Sequence, residues 1–323
     1  MFIVCGEALF DVFINDSVPL HATSVPFEAK VGGSPFNVAI GLSRLGNNAA
    51  LVTGVSTDLL GDRLINVLDA ENVSTQFVSR KQAPTTLGFV QHNRNGAPDY
   101  VFYGEGAADR SVELGDVEKD FSAARCLHFG SYSIVVPPTA DSFYALAARE
   151  AGKRIISLDP NIRPTVEEDL EIWRSRIQKF IEFVDVIKLS DEDMSLLYPD
   201  KQPDDVLDQW LSQGVKLAVL TRGSDGATLL SVKDRVNVSS PKTDVVDTVG
   251  AGDTFQALLL DRLVELDMND QGRWDEQLDA DCLHAIGSLA ATAASITCSR
   301  VGADLPTRQE IETTVSKTRT RVG

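Results

Sequence analysis

Residues Asp247 to Phe255 read Asp-Thr-Val-Gly-Ala-Gly-Asp-Thr-Phe, and no other stretch restricts the fold of this chain so closely. Beyond the glycines, Phe255, Leu258, Leu259, Leu263 and Leu266 recur at the three-to-four-residue spacing of an amphipathic helix. The pattern predicts the end of an extended segment, a glycine turn and a helix opening at about Gly252 to Asp253. N–H groups in a first helical turn have no internal acceptor, and the helix dipole adds partial positive charge there. Gly250 and Gly252 would let an anion approach those donors, so a phosphate could be held without a lysine. Asp253 has two readings here. A carboxylate compensates the dipole at a helix start, and beside a phosphate it can also take a proton from an attacking hydroxyl. Two other phosphate motifs are excluded. No Gly-x-x-x-x-Gly-Lys run followed by Ser or Thr occurs, and Phe255 stands where a dinucleotide fingerprint needs its third glycine.

The motif resembles the signature of the PfkB (ribokinase-like) family of carbohydrate kinases. The resemblance implies that Asp253 is the general base and that the backbone of Gly250, Ala251, Gly252 and Asp253 is the anion hole for the transferring phosphoryl group. It also implies an α/β fold, a doubly wound and mostly parallel sheet flanked by helices, with a small β-sheet lid. One kinase domain would then span the chain, with lid segments at about 12–31 and 86–105.

Composition bounds the partners. The chain has 323 residues, 43% hydrophobic and 24% charged, an ordinary globular composition with room for one large core. A formal charge of −17, without a basic stripe or tail, argues against nucleic acid or an anionic membrane. Phosphate must then be held by local dipoles, a few cations and a metal ion. Cys5, Cys126, Cys282 and Cys298 are scattered and form no Cys-x-x-Cys pair, which fits neither a zinc site nor a disulfide scaffold. A reducing cytoplasm is the expected setting.

Along the chain, Phe2 to Val12 reads as a buried first strand with a polar end. Asp11 at that end is either a turn residue or a sugar-hydroxyl ligand, since ligands gather at the carboxyl ends of strands in open α/β sheets. Gly-Glu-x-Leu-x-Asp at the N-terminus resembles the opening of bacterial fructokinases, which implies the ligand role. Residues 13–30 show little helical period. Leu87-Gly88-Phe89-Val90 and Tyr100-Val101-Phe102-Tyr103 around Asn93-Arg94-Asn95-Gly96 signal a hairpin. Between these segments, Gly32-Gly33-Ser34-Pro35-Phe36-Asn37 precedes an apolar helix pattern ending at Gly46. Gly32 and Gly33 allow close backbone approach and Asn37 offers donor and acceptor, so the run is a helix start or a polyol site. The family resemblance implies the sugar site.

From Phe121 to about Ala251 short apolar strands alternate with helical patterns, as in a parallel doubly wound sheet. Arg163, in Asp159-Pro160-Asn161-Ile162-Arg163, either pairs with the acidic run Glu167 to Asp169 or clamps substrate or phosphate. Lys188-Leu189-Ser190-Asp191-Glu192-Asp193 reads as a solvated helix start. It also resembles the family's Asn-x-x-Glu region, which implies nucleotide contacts at Lys188 and Ser190 and Mg²⁺ held through water at Asp193. Ser190 and Asp193 depart from the usual asparagine and glutamate. Thr221, Gly223 and Gly226 form a tight hairpin turn by spacing, and the family's ATP-bordering Thr-x-Gly-x-x-Gly by resemblance. The Arg300-Val301-Gly302-Ala303 break resembles a segment that closes the adenine pocket and, through Gly302 with Asp247, a monovalent cation site.

The expected activity is ATP:D-fructose 6-phosphotransferase with ATP and Mg²⁺, with potassium and a homodimer through the lid as further family-based expectations. Another ketose or nucleoside, or 2-keto-3-deoxygluconate, is the second enzyme reading. A non-catalytic sugar-binding regulator on the same fold is the reading from another class.

Overall fold

The computed structural model describes residues 1–14, 21–92, 98–269 and 273–322. Strand β1 (Phe2–Cys5) is apolar throughout, and its alternate side chains enter different cores: Phe2 and Val4 one, Ile3 and Cys5 the other. Next come β2 (Leu9–Ile14), β3 (Phe27–Gly32), α1 (Ser34–Arg44), β4 (Ala49–Ser56), α2 (Leu59–Ala70) and β5 (Val78–Lys81). β6 (Leu87–His92), β7 (Pro98–Tyr103) and the single turn α3 (Leu114–Val117) follow. The alternating half comprises β8 (Cys126–Gly130), α4 (Thr139–Glu150), β9 (Ile155–Asp159), α5 (Leu170–Ile181), β10 (Val186–Ser190), α6 (Asp191–Leu197), α7 (Pro203–Ser212) and β11 (Leu217–Thr221). The chain then forms β12 (Ala227–Ser231), β13 (Arg235–Val238), α8 (Ala251–Asn269), α9 (Ala280–Cys298) and α10 (Arg308–Val322).

The large sheet has the order β13-β12-β11-β10-β9-β8-β1-β4-β5. Pairings from β11 through to β5 are parallel, and the last two strands join antiparallel at one edge. Helices cover both faces, so its strands read as continuous apolar runs and not as alternations. One core packs α1, α2, α8 and α9 on the sheet, and the other packs α4 to α7. The strand and helix alternation expected from residue 121 onward is present, and α8 opens at Ala251, one residue before the expected start.

The N-terminal expectation needs a correction. Phe2 to Val12 is not one strand, because the chain leaves the large sheet after Cys5 and enters a second one at Leu9. Gly6 marks the break: a Cβ there would lie 2.1 Å from Cγ of Pro35, so only glycine lets α1 pack this close. Asp11 therefore belongs to β2 and not to the carboxyl end of β1.

The second sheet has the order β3-β2-β6-β7 and is built from the two segments expected to form a lid. The tip Asn93 to Gly96 lies outside the described residues. Register places Asp11, Gly88 and Phe102 on one face of this sheet and Phe27, Phe89, Val101 and Tyr103 on the other. The second face carries edge-on ring contacts from Phe89 to Phe27 and Tyr103, and Phe27 and Tyr103 are 55% and 65% exposed.

Candidate active site

The strand order reverses at β1, which has β4 on one side and β8 on the other. In open α/β sheets the crevice beyond the carboxyl ends of such strands is the usual ligand site. Gly130, Asp159 and Ser190 end β8, β9 and β10 there, and the N-terminus of α8 packs over them.

Asp253, in the first turn of α8, is 7% exposed. Its Oδ1 accepts a hydrogen bond from Ser34 Oγ at 2.7 Å and its Oδ2 one from Asn37 Nδ2 at 2.8 Å. Both donors lie in the first turn of α1, three residues apart and therefore on one helix face. Burial pushes the Asp253 carboxyl above its ordinary range. Ser34, Asn37, Lys188 and Arg163 pull it back only in part. Asn37 thus meets the aspartate directly, beyond the polyol contact expected for it, and Ser34 is a partner that sequence reasoning missed.

The two motif glycines differ. Gly250 has φ +79° and a Cβ there would lie 2.7 Å from Ala303 Cβ, so its own turn and the 300–306 segment demand glycine. A Cβ on Gly252 would meet only Lys188 Nζ, at 3.8 Å, and this face is open. The Ala251 amide donates to Thr248 O and the Thr254 amide to Gly250 O. Of the four amides of the expected anion hole, that of Ala251 is thus engaged, while those of Gly250, Gly252 and Asp253 have no acceptor among the described residues.

Charged side chains converge on this turn. Lys188 and Asp159, 4% and 3% exposed, form an ion pair of 2.7 Å. Burial raises Asp159 to about 6, with Lys188 opposing and Asp193 and Asp253 reinforcing the shift. Asp11 also stands at about 6, raised by burial, lowered by Arg163 and raised by Asp253, so these three charges share one space. Gly32 and Gly88 make room for its carboxylate, since a Cβ would approach it to 2.3 Å or 3.1 Å. Gly33, with φ +106°, presses on the carbonyl of Glu7. Arg163 Nη1 donates to Asn161 Oδ1 at 2.7 Å and to the Ile162 carbonyl at 3.0 Å, and has no ion pair with Glu167 to Asp169.

Other expected site residues have local roles. Ser190 and Asp193 form a capping box at the start of α6, with Ser190 Oγ accepting from the Asp193 amide. Asp193 Oδ2 accepts from the Ser190 amide at 3.2 Å and Oδ1 from the Ile162 amide at 2.8 Å. Each oxygen thus accepts one backbone N–H and keeps a second lone pair, the one a water-mediated contact to Mg²⁺ would use. Among the described residues no group of three or more His, Cys, Asp or Glu side chains is arranged to hold a metal. Thr221 pairs with Ser190 across β10 and β11. Gly226 (φ +90°) faces Val238 O, which a Cβ would approach to 1.9 Å, so it serves the hairpin; Gly223 (φ +48°) has open space around it. Asp247 and Gly302 do come together, Oδ2 accepting from the Gly302 amide at 2.8 Å.

A doubly wound sheet with a second sheet over its switch point, a buried carboxylate and free amides at one helix N-terminus defines an enzyme that activates a hydroxyl beside an anion. The model of the pfkB family carbohydrate kinases matches residues 1–310, and the chain belongs to that family. It is 38% identical over 260 residues to a fructokinase of Rhizobium leguminosarum bv. trifolii, covering 80% of this chain and 78% of that one. Probable fructokinase-4 of Arabidopsis thaliana is 32% identical over 317 residues, 95% and 94% of the two chains. Among solved structures, the fructokinase of Xylella fastidiosa with bound ATP superposes with a TM-score of 0.88 at 25% identity, covering 98% of each chain. No helix among the described residues is long and apolar enough to cross a membrane.

Proposed function

We propose that this chain transfers the γ-phosphoryl group of ATP to the 6-hydroxyl of D-fructose, with Asp253 as general base. The observation that carries the reading is the setting of Asp253: a buried carboxylate fixed by Ser34 and Asn37, one residue from an open glycine and near two cations. The names of the relatives, fructokinases, supply the sugar. The Xylella structure's bound ATP supports the donor.

A sugar hydroxyl against Asp253 loses its proton to the carboxylate as its oxygen bonds to phosphorus, and the bond from phosphorus to the ADP oxygen breaks. Ser34 and Asn37 hold both carboxylate oxygens and so fix the direction from which the proton is taken. The Gly252 and Asp253 amides and Lys188 stabilise charge on the transferring group. Asp11 and Arg163 hold the sugar, beneath a small sheet that excludes water, a competing nucleophile. Mg²⁺ arriving with ATP would offset the charge of its phosphates. Thr221 and Gly223 border the nucleotide, and a potassium ion would sit beside the Asp247 and Gly302 contact. The exposed apolar face of the small sheet, with Phe27, Val101 and Tyr103, suits a second copy of the chain.

The test is ADP release measured with fructose, 2-keto-3-deoxygluconate, ribose and a nucleoside, with the phosphorylated position read by NMR. Highest kcat/KM on fructose with phosphate at carbon 6 is expected. Preference for another acceptor would overturn the sugar, and no sugar-dependent ADP release would leave a binding protein. Equal rates in sodium and potassium buffers would remove the potassium site.

A further inference from the structure

Beneath the reacting groups lies a layer that the mechanism above does not use. On the sheet face under α8, β8 runs Cys126, His128, Gly130, β9 runs Ile155, Ser157, Asp159, and β10 runs Val186, Lys188. The lowest level, Cys126 and Ile155, is apolar core, and Val186 stands opposite Ser157 one level up. The highest carries Asp159, Lys188 and, from α8, Asp253. Between them stand His128, Ser157 and, one helical turn past Asp253, Gln256, exposed by 1%, 0% and 0%.

The side chains of these three bond only to one another among the described residues. Gln256 Nε2 donates to Ser157 Oγ at 2.8 Å and also lies 3.4 Å from His128 Nδ1. That nitrogen stands 3.2 Å from the same serine oxygen and accepts when the amide and the hydroxyl both point at it. The histidine proton is then on Nε2. His128 Nε2 and Gln256 Oε1, both fully buried, have no hydrogen-bond partner among the described residues. An apolar layer of the same volume would be the more stable choice, because each unmatched buried polar atom costs stability. What apolar packing lacks is direction: it lets a helix slide or turn over a sheet, whereas a hydrogen bond fixes both.

We propose that Gln256, Ser157 and His128 are positioning residues that hold the first turn of α8, and with it Asp253 and the Gly252 amide, in register over the Lys188 and Asp159 pair. Ser157 is two residues before Asp159 on the same strand and Gln256 is three residues after Asp253 on the same helix, so one bond links the two halves of the site. Burial holds His128 neutral, with its pKa at about 3, as an acceptor at Nδ1 requires. The proposal rests on the kinase reading above.

The experiment is steady-state kinetics and thermal melting of Gln256→Leu and Ser157→Ala beside the wild type. Positioning predicts kcat lower by roughly tenfold to a hundredfold, KM for sugar and ATP within about twofold, and an unchanged or raised melting temperature for Gln256→Leu. Misplaced groups lose rate, while removal of a desolvated amide relieves the core. A folded variant with wild-type kcat, or one whose only change is a lower melting temperature, overturns the proposal. Ser157→Ala removes a single oxygen and keeps the test decisive should Gln256→Leu not fold. A wild type without kinase activity would instead sink the functional reading itself.

Discussion

Ser34 and Asn37 oppose the burial that raises the pKa of the Asp253 carboxyl. Each donates to one carboxylate oxygen and so favours the ionised form. A general base must be ionised, so activity falls as pH falls through its pKa. Ser34→Ala removes one charge-assisted bond, worth about 1.5–3 kcal/mol, and should move the acid limb of kcat/KM to higher pH by roughly one to two units. A limb that stays in place or moves down would contradict this. The carboxylate and its glycine turn were legible in sequence, because a run of such residues before an apolar helix has few uses. Asn37 was legible as a polar residue in the right segment, but not as a partner of a residue 216 positions away, since pattern within one element carries no record of what the next element packs against.

At the level of elements, Asp193 joins three pieces of chain. It caps α6, bonds the last residue of β10 and holds the Ile162 amide of the loop that presents Arg163. Asp193→Ala should lower stability by about 1–2 kcal/mol, a usual cap loss, and raise KM for fructose through that loop. On a purely structural role the dependence of rate on Mg²⁺ concentration should not move; a large change there with unaltered stability would assign Asp193 to the metal. Parallel strands buried on both faces gave the alternating half of the fold away as apolar runs. The two N-terminal strands did not separate in sequence, because Phe2 to Val12 has the same apolar character whether it joins one sheet or two. Only the contact of Gly6 with Pro35 and the pairing of β2 with β3 and β6 distinguish them.

On the scale of the whole molecule, the site is a concentration of buried carboxyls, and this leaves a mark on stability. Glu7 is raised to about 7 and Asp11 and Asp159 to about 6, each with burial as the largest cause, against 4.5 and 3.8 for free groups. Between those values the folded state binds protons that the unfolded state has released. Stability from these groups is therefore complete below the unfolded pKa and is lost as pH rises through the folded one. The melting temperature of the ligand-free protein should rise as pH is lowered from 7 toward 5, with Glu7 alone contributing on the order of 2 kcal/mol over that interval. A melting temperature that falls over this interval would contradict the assignment of these groups. The same crowding of charge has a chemical use only if Asp253 takes a proton during turnover. The most direct measurement is kcat of Asp253→Asn with fructose and ATP. Ser34 Oγ can turn to accept from the new amide, so the fold should survive. The account predicts a loss of roughly 10² to 10⁴ in kcat at nearly unchanged melting temperature. A folded Asp253→Asn variant that phosphorylates fructose at near the wild-type rate would contradict it.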